Sequence, residues 1–206
     1  MTPEEQNKPL SVYRLLPSMR EFQLLCFDNS LVDVMRWQLG GSRGPHPTVF
    51  SAAWGGDTRW RKSDFPSGNP SSPALSRRLA DRLGDDLRAG GRLLPVHIDA
   101  ADTRPRGRDA RGDEYFLYLV ERAVDCLDQE KSSPPDQLGR IRTSVFRPDA
   151  VPTELPAFRP TQFPTAVCWN GWMVERLAEF LGDQLETRLV WSQDPKRTAH
   201  PDPWGF

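Results

Sequence analysis

The chain has 206 residues, with 27 lysine and arginine side chains against 28 aspartate and glutamate side chains, giving a formal net charge of −1. Its 37% hydrophobic and 10% aromatic content favours one large folded domain or two small ones and excludes a largely disordered chain. The longest uncharged apolar run, residues 116–120, is too short for a transmembrane helix, and three cysteines without CxxC spacing argue against a zinc site or a disulfide scaffold. We therefore expect a soluble protein of the reducing cytoplasm.

The first part of the chain predicts short strands joined by loops. Residues 12–16, 22–27 and 48–54 are short apolar segments of the kind that form strands, with a turn after the second of them. Glycine, proline and serine are frequent in residues 40–47 and 63–73, and we interpret both stretches as loops.

The clearest helix is predicted over residues 73–89. Leucine recurs there at every fourth position with charged residues between, which keeps the apolar stripe on one broad helical face. Ser72 is placed to cap the start, Pro73 suits the first helical position and Gly90 suits the end. The stripe consists of Leu75, Leu79, Leu83 and Leu87.

The second half adds a central strand and a second helix. Residues 115–120 are apolar at both alternating sets of positions, which is typical of a strand buried on both faces. Residues 93–96 predict a short edge strand, and the arginine-rich residues 99–113 predict a solvated, mobile loop. Asn170 is placed to cap a helix over residues 171–181. Further strands are predicted over residues 140–147, 165–169 and 188–191.

Strands outnumber helices in this prediction and do not alternate regularly with them. The expected class is therefore α+β, a mostly antiparallel sheet with two amphipathic helices over about 73–89 and 171–181. We divide the chain into a strand-rich part over residues 1–58, expected to pack on the rest, a domain over residues 59–192 and a flexible tail over residues 193–206.

Charge is distributed unevenly along the chain. Residues 1–58 carry a net charge of −1, residues 59–112 carry +5 and residues 113–206 carry −5. Two interpretations stay open. The segments can pack together and neutralise one another, as single domains often do, or the last segment can present an acidic face to a basic partner.

Candidate catalytic groups are few and their patterns are not specific. His97 and Asp99 would share one side of a strand, and Asp57 or Asp64 could bind a metal only with partners that the sequence does not identify. The densest carboxylate cluster spans Asp125–Glu130, where two carboxylates three residues apart could share a metal or supply a general base. We favour a turn in which aspartate oxygens accept backbone N–H bonds, and we keep a small hydrolase as an alternative.

A basic run with an aromatic inside it, Arg59-Trp60-Arg61-Lys62, could stack a base and neutralise phosphates. Four residues in a slightly acidic chain are weak evidence for such binding, so we expect no nucleic-acid partner. No membrane partner is expected either, because the sequence has no long apolar segment.

Several of these motifs, in this order, resemble one bacterial family. The most specific of them is the aromatic strand 115–120 running into Asp125-Cys126-Leu127-Asp128, with Ser132 shortly after. The others are Asp64-Phe65-Pro66, the helix from Pro73, Leu93-Leu94-Pro95-Val96, Phe146-Arg147, Phe163 to Trp169, and the helix with Leu177 and Leu181. Over roughly residues 60–192 the chain is similar to immunity protein eleven, a family of antidotes encoded beside polymorphic toxins.

This resemblance implies an immunity protein that neutralises a cognate toxin by stoichiometric binding inside the producing cell. It implies no catalytic, metal or cofactor residues, so function would lie in a surface. An adaptor or chaperone for a secreted effector and the small enzyme are the alternatives, and the oligomeric state is left open. The candidate toxin-binding residues are Asp125, Asp128, Glu130, Trp169, Trp172, Trp191, Arg59 and Trp60.

Overall fold

The structure is a computed structural model that describes residues 8–28, 30–40, 45, 50–67, 69, 71–98, 114–137 and 139–205. Within these ranges it has three α-helices, α1 (Ser30–Leu39), α2 (Arg77–Arg88) and α3 (Gly171–Leu181). The strands there are β1 (Ser11–Pro17), β2 (Phe22–Phe27), β3 (Phe50–Gly55), β4 (Arg61–Ser67), β5 (Ala74–Ser76), β6 (Gly91–Ile98), β7 (Tyr115–Val120), β8 (Ala123–Val124), β9 (Ala157–Pro160), β10 (Cys168–Asn170) and β11 (Leu185–Ser192). None of the described helices is long and apolar enough to cross a membrane.

The strands form two sheets in which most neighbouring pairs are antiparallel, which confirms the predicted α+β class. One sheet has the order β11-β1-β10-β9-β8 and the other has the order β4-β2-β3-β6-β7-β5. The pairs β2–β4, β3–β6 and β8–β9 are parallel. The N-terminal part contributes β1 to the first sheet and β2 and β3 to the second, so its strands pair directly with later ones.

The largest core lies where both sheets meet helices α2 and α3. The leucine stripe of α2 contributes Leu79, Leu83 and Leu87, which are packed in one cluster with the β7 residue Tyr118 and the β10 residue Trp169. The predicted stripe therefore faces the interior, as its spacing requires. On the solvent side, Arg176 of α3 forms an ion pair of 2.7 Å with Asp86 of α2.

Helix α2 begins four residues later than predicted, and α3 has its predicted bounds. Residues 74–76 pair with β7 as strand β5, and the hydroxyl of Ser76, rather than that of Ser72, accepts the N–H of Leu79 at 3.2 Å. Propensity alone favoured a helix from Pro73, but strand pairing with β7 offers these residues sheet hydrogen bonds.

Three further segments differ from the prediction. Residues 93–96, predicted as a short edge strand, belong to the longer strand β6, which lies inside its sheet between β3 and β7. Residues 61–67, part of which we interpreted as a loop, form the edge strand β4, where Pro66 is tolerated. Residues 140–147 were expected as a strand, but the only sheet contact described there is a single bridge between Leu127 and Phe146. The hydroxyls of Ser132 and Ser133 accept the N–H groups of Val145 and Thr143, and the N–H of Ser133 donates to the Thr143 carbonyl at 2.9 Å. Irregular contacts of this kind take the place of a regular strand.

The C-terminal segment, predicted as a flexible tail, is packed through residue 205. The guanidinium of Arg14 donates to the carbonyls of Pro203 and Gly205 at 3.1 and 3.0 Å, and Arg188 donates to the Gly205 carbonyl at 2.6 Å. The Trp204 ring packs edge-on against Phe163, with 5.1 Å between centroids. These contacts correct the prediction of a flexible tail.

The predicted loop 99–113 lies outside the described residues, and so does most of the predicted loop 40–47. Asp99, the suggested partner of His97, falls in the first of these stretches. Both loops and the His–Asp pair stay predictions.

The three cysteines differ in their accessibility. Cys26 is exposed, whereas Cys126 and Cys168 are buried. Burial raises the pKa of the Cys126 thiol to about 12 and also raises that of Cys168. Because the thiolate is the reactive form, we expect one equivalent of dithionitrobenzoate to react at pH 8 in the native protein and three after denaturation. The variant Cys26→Ser should abolish the native reaction, and a fast second equivalent in the native protein would contradict the described burial.

Candidate protein-interaction site

Asp128, one of the three candidate carboxylates, accepts backbone hydrogen bonds within a turn. Its Oδ1 accepts the N–H groups of Glu130 at 3.1 Å and Lys131 at 3.2 Å, and its other oxygen lies 2.9 Å from the Lys131 ammonium. The hydrogen bond from Lys131 holds the pKa of Asp128 below its usual value. This geometry matches the predicted turn, and it keeps the carboxylate ionised.

Asp125 makes contacts with residues outside that turn. Its carboxylate accepts a hydrogen bond from Gln162 and lies 3.3 Å from Arg147, while the same guanidinium donates to the Asp125 carbonyl at 2.5 Å. Glu130, the third candidate carboxylate, is exposed. Among the described residues, no group of three or more histidine, cysteine, aspartate or glutamate side chains is arranged to hold a metal ion.

The three candidate tryptophans lie in different surroundings. Trp169 is 1% exposed and packs against Tyr118, with 5.6 Å between ring centroids, so it belongs to the core and cannot contact a partner. This corrects its candidate role. Trp191 is half-buried and packs on Phe146, and Trp172 is half-buried with its indole N–H bonded to the Thr153 carbonyl at 3.0 Å.

Arg59 and Trp60 lie in the turn between β3 and β4. Arg59 is exposed and forms an ion pair of 2.6 Å with Asp57, whose pKa it lowers. Trp60 is 40% exposed. The next residue, Arg61, stacks on Phe22, with 4.5 Å from the guanidinium carbon to the ring centroid. The basic run is therefore partly engaged in contacts within the chain.

Helix α1 carries a row of exposed apolar side chains, which the sequence analysis did not predict. Val32, Met35 and Leu39 are 43%, 43% and 63% exposed, and they account for three of the five large hydrophobic side chains exposed in the described residues. Their spacing of three and four positions puts them on one line along the helix. The opposite side buries Val34 and Trp37 against the second sheet.

The signal for α1 was present in the sequence. Leu31, Val34 and Gln38 recur at helical spacing, and all three face inward. The prediction places a turn at residues 28–30 and no element over residues 31–39. A helix there would have left Val32, Met35 and Leu39 outside the buried stripe, which is the pattern of an apolar contact face.

A groove of about 390 Å³ lies at the start of helix α3. Trp172 forms part of its wall, and side chains of both charges line it. Lys8 and Glu175 form an ion pair of 2.6 Å across one wall, and Asp194 and Arg197 lie in the lining as well. Of the eight predicted contact residues, Trp172 is the one that this groove includes.

No protein-family model matches the chain, and no curated protein is significantly similar to it. Membership of the immunity protein eleven family therefore stays a prediction from the sequence pattern.

Proposed function

We propose that this protein is an immunity protein that neutralises a cognate bacterial toxin by one-to-one binding. The observation that supports this proposal best is the exposed row of Val32, Met35 and Leu39 on α1, which we propose as part of the toxin-binding surface. Single exposed apolar residues are ordinary on a protein surface, but three on one helical line form a continuous patch of the kind that partners cover.

The rest of the chain offers little to cover this row. The residues outside the described ranges include few large apolar side chains, which favours a separate molecule as the occupant. Those side chains are Met1, Val49, Leu138 and Phe206.

The surroundings of the row fit a protein partner. Asp33 and Arg36 form an exposed ion pair of 3.3 Å on the same helix, beside the apolar row. An apolar centre with a charged rim is the usual arrangement of a protein–protein interface. The acidic excess of residues 113–206 would favour encounter with a basic toxin, because opposite net charges raise the association rate.

The described chemistry supports binding over the hydrolase alternative. A carboxylate that acts as a general base near neutral pH needs a raised pKa, whereas the pKa of Asp128 is lowered by Lys131. Asp125 is occupied by Gln162 and Arg147. The adaptor alternative differs from the immunity proposal in one respect: an adaptor binds its effector without abolishing the effector's activity.

The variant Met35→Glu should weaken toxin binding without unfolding the protein. A buried carboxylate at a contact centre costs about 2 kcal/mol or more, so we expect the dissociation constant to rise about 30-fold. The partner to use is the protein encoded by the adjacent gene, and the measurements are calorimetric titration and protection of cells that express it. The matched control is Met19→Glu, because Met19 is 69% exposed and lies outside α1.

Two outcomes would contradict the proposal. Equal losses for Met35→Glu and Met19→Glu would place the interface elsewhere. A neighbouring protein that binds with full retention of its toxicity would favour the adaptor alternative, and thermal melting of both variants separates either result from loss of fold.

A further inference from the structure

The exposed apolar row on α1 has the spacing of a helix-pairing surface. Val32, Met35 and Leu39 are separated by three and then four positions, which is the alternation found along the contact line of two packed helices. The row extends over about 10 Å of the helix axis at a rise of about 1.5 Å per residue. Two helices that pack along such rows cover the apolar side chains of both.

The charged side chains beside the row are complementary to a second copy of the same helix. Asp33 and Arg36 are exposed and form an ion pair of 3.3 Å, so they occupy the same flank of α1. When two copies pack antiparallel about a two-fold axis, Val32 of each copy meets Leu39 of the other, and the two charged flanks lie on the same side. Each Arg36 then lies about 3 Å along the axis from the level of Asp33 in the other copy, so it can bond carboxylates of both copies. A parallel pair would instead place like charges at the same level.

The edges of both sheets offer a second copy little to pair with. The four edge strands are β11, β8, β4 and β5. Strand β8 has two residues and β5 has three, and β4 carries two cations and Pro66. On β11 the Leu189 carbonyl accepts the N–H of His200 at 2.8 Å. Short, charged or covered edges protect against edge-to-edge pairing, so the row on α1 is the part of the described surface best suited to self-association.

We propose that, in the absence of the toxin, the row on α1 is covered by a second copy of this chain in an antiparallel, two-fold symmetric pair. This inference rests on the proposed function, because it makes self-association a regulator of the toxin-binding surface. One short helix packed on its copy buries less area than a standard interface, so the dimer is transient, with a dissociation constant in the micromolar range or weaker. A toxin that binds more tightly takes the monomers, and surplus protein is held as dimer.

Sedimentation equilibrium of the full chain alone tests the pairing, at about 1–300 µM, the range in which transient contacts of this size associate. We expect the mass to rise from monomer to dimer and no further, because a two-fold contact is closed. The variant Met35→Glu should stay monomeric throughout, because it brings two carboxylates together near the axis. The matched control is Met19→Glu, which should dimerise like the parent chain because Met19 is 69% exposed outside α1.

A charge swap tests the antiparallel arrangement. The single variants Asp33→Arg and Arg36→Asp should each raise the dissociation constant of the dimer about fivefold or more, because both symmetry-related ion pairs become like-charge contacts. The double variant restores opposite charges on the same flank. Its dissociation constant should return to within about twofold of the parent value. Single variants without effect, or a double variant weaker than both, would contradict the arrangement.

The failure of this inference can be distinguished from the failure of the proposed function. A parent chain that is monomeric at about 300 µM, or a dimer that Met35→Glu leaves intact, overturns the self-association and leaves toxin binding by α1 untouched. Loss of the dimer in Met35→Glu with unchanged toxin affinity overturns the toxin-binding surface instead. Light scattering of a mixture with the protein encoded by the adjacent gene should show one-to-one complexes, and a two-to-two complex would overturn the regulatory role.

Discussion

Replacing Arg159 with alanine is expected to lower the free energy of unfolding by about 3–5 kcal/mol, the range seen when a large buried side chain is truncated and its hydrogen bonds are lost. Arg159 is fully buried, and it donates to the carbonyls of Val120 and Pro164 at 2.9 Å each. Its guanidinium carbon lies 5.0 Å from the centre of the Trp37 ring. Alanine would leave both carbonyls unsatisfied, remove the stacking on α1 and open a cavity.

Burial lowers the pKa of Arg159 to about 10, which still leaves the side chain charged at neutral pH. The effect should therefore be the same across the neutral range. Urea denaturation followed by tryptophan fluorescence measures it, with Arg142→Ala as the control because Arg142 is exposed. If Arg159→Ala does not fold, Arg159→Lys should fold with an intermediate loss, since lysine keeps the charge without the planar fork. A loss below 1 kcal/mol for Arg159→Ala would refute the structural role.

The variant Trp204→Ala should destabilise the protein by about 2–4 kcal/mol, less than a fully buried tryptophan because the ring is partly exposed. Trp204 packs on Phe163, donates from its indole N–H to the Ser144 hydroxyl at 3.3 Å, and lies under the Arg14 guanidinium. Without the Trp204 ring, the C-terminal segment should detach from the rest of the protein. Arg14 and Arg188 would then lose the carbonyls of residues 202–205 that they bind.

Thermal and urea denaturation measure this loss, and Trp60→Ala is the matched control because Trp60 is 40% exposed in a turn. Limited proteolysis gives an independent readout. Cleavage after Arg197 should be faster in Trp204→Ala than in the parent chain. Equal cleavage and equal stability would mean that residues 199–205 add nothing to the fold.

Elements with a strong local pattern were predictable from the sequence. Strands β2 and β7 and helix α3 have the predicted bounds, because each has an apolar pattern of the right period and a clear end signal. Strand β4 was missed because Pro66 and the serines around it suggest a loop, and its pairing with β2 is set by distant residues. The C-terminal segment was misinterpreted for the same reason, since its composition says nothing about Arg14, 189 positions away from Pro203.

The candidate site was less predictable than the fold. The aromatic candidate contact residues were selected by residue type. Residue type alone does not distinguish Trp169, which lies in the core, from Trp172, which lines the groove. The burial of each tryptophan depends on the strand or helix that contains it. Asp128 was predictable as a turn residue because its contacts are local. The row on α1 could have been predicted from the helical spacing of Leu31, Val34 and Gln38, but its exposure depends on which elements pack around the helix.

The place of β1 in its sheet affects how the chain can be made. This strand lies between β10 and β11, so both of its neighbours are translated long after it, from Cys168 onward. At a translation rate of about 5–20 residues per second, β1 waits roughly 10–40 s for its partners. Throughout synthesis its apolar side chains, Val12 and Leu15 among them, stay available to chaperones. The first sheet is therefore complete only after Ser192 has been made, so any activity that needs this sheet begins with a delay set by the ribosome.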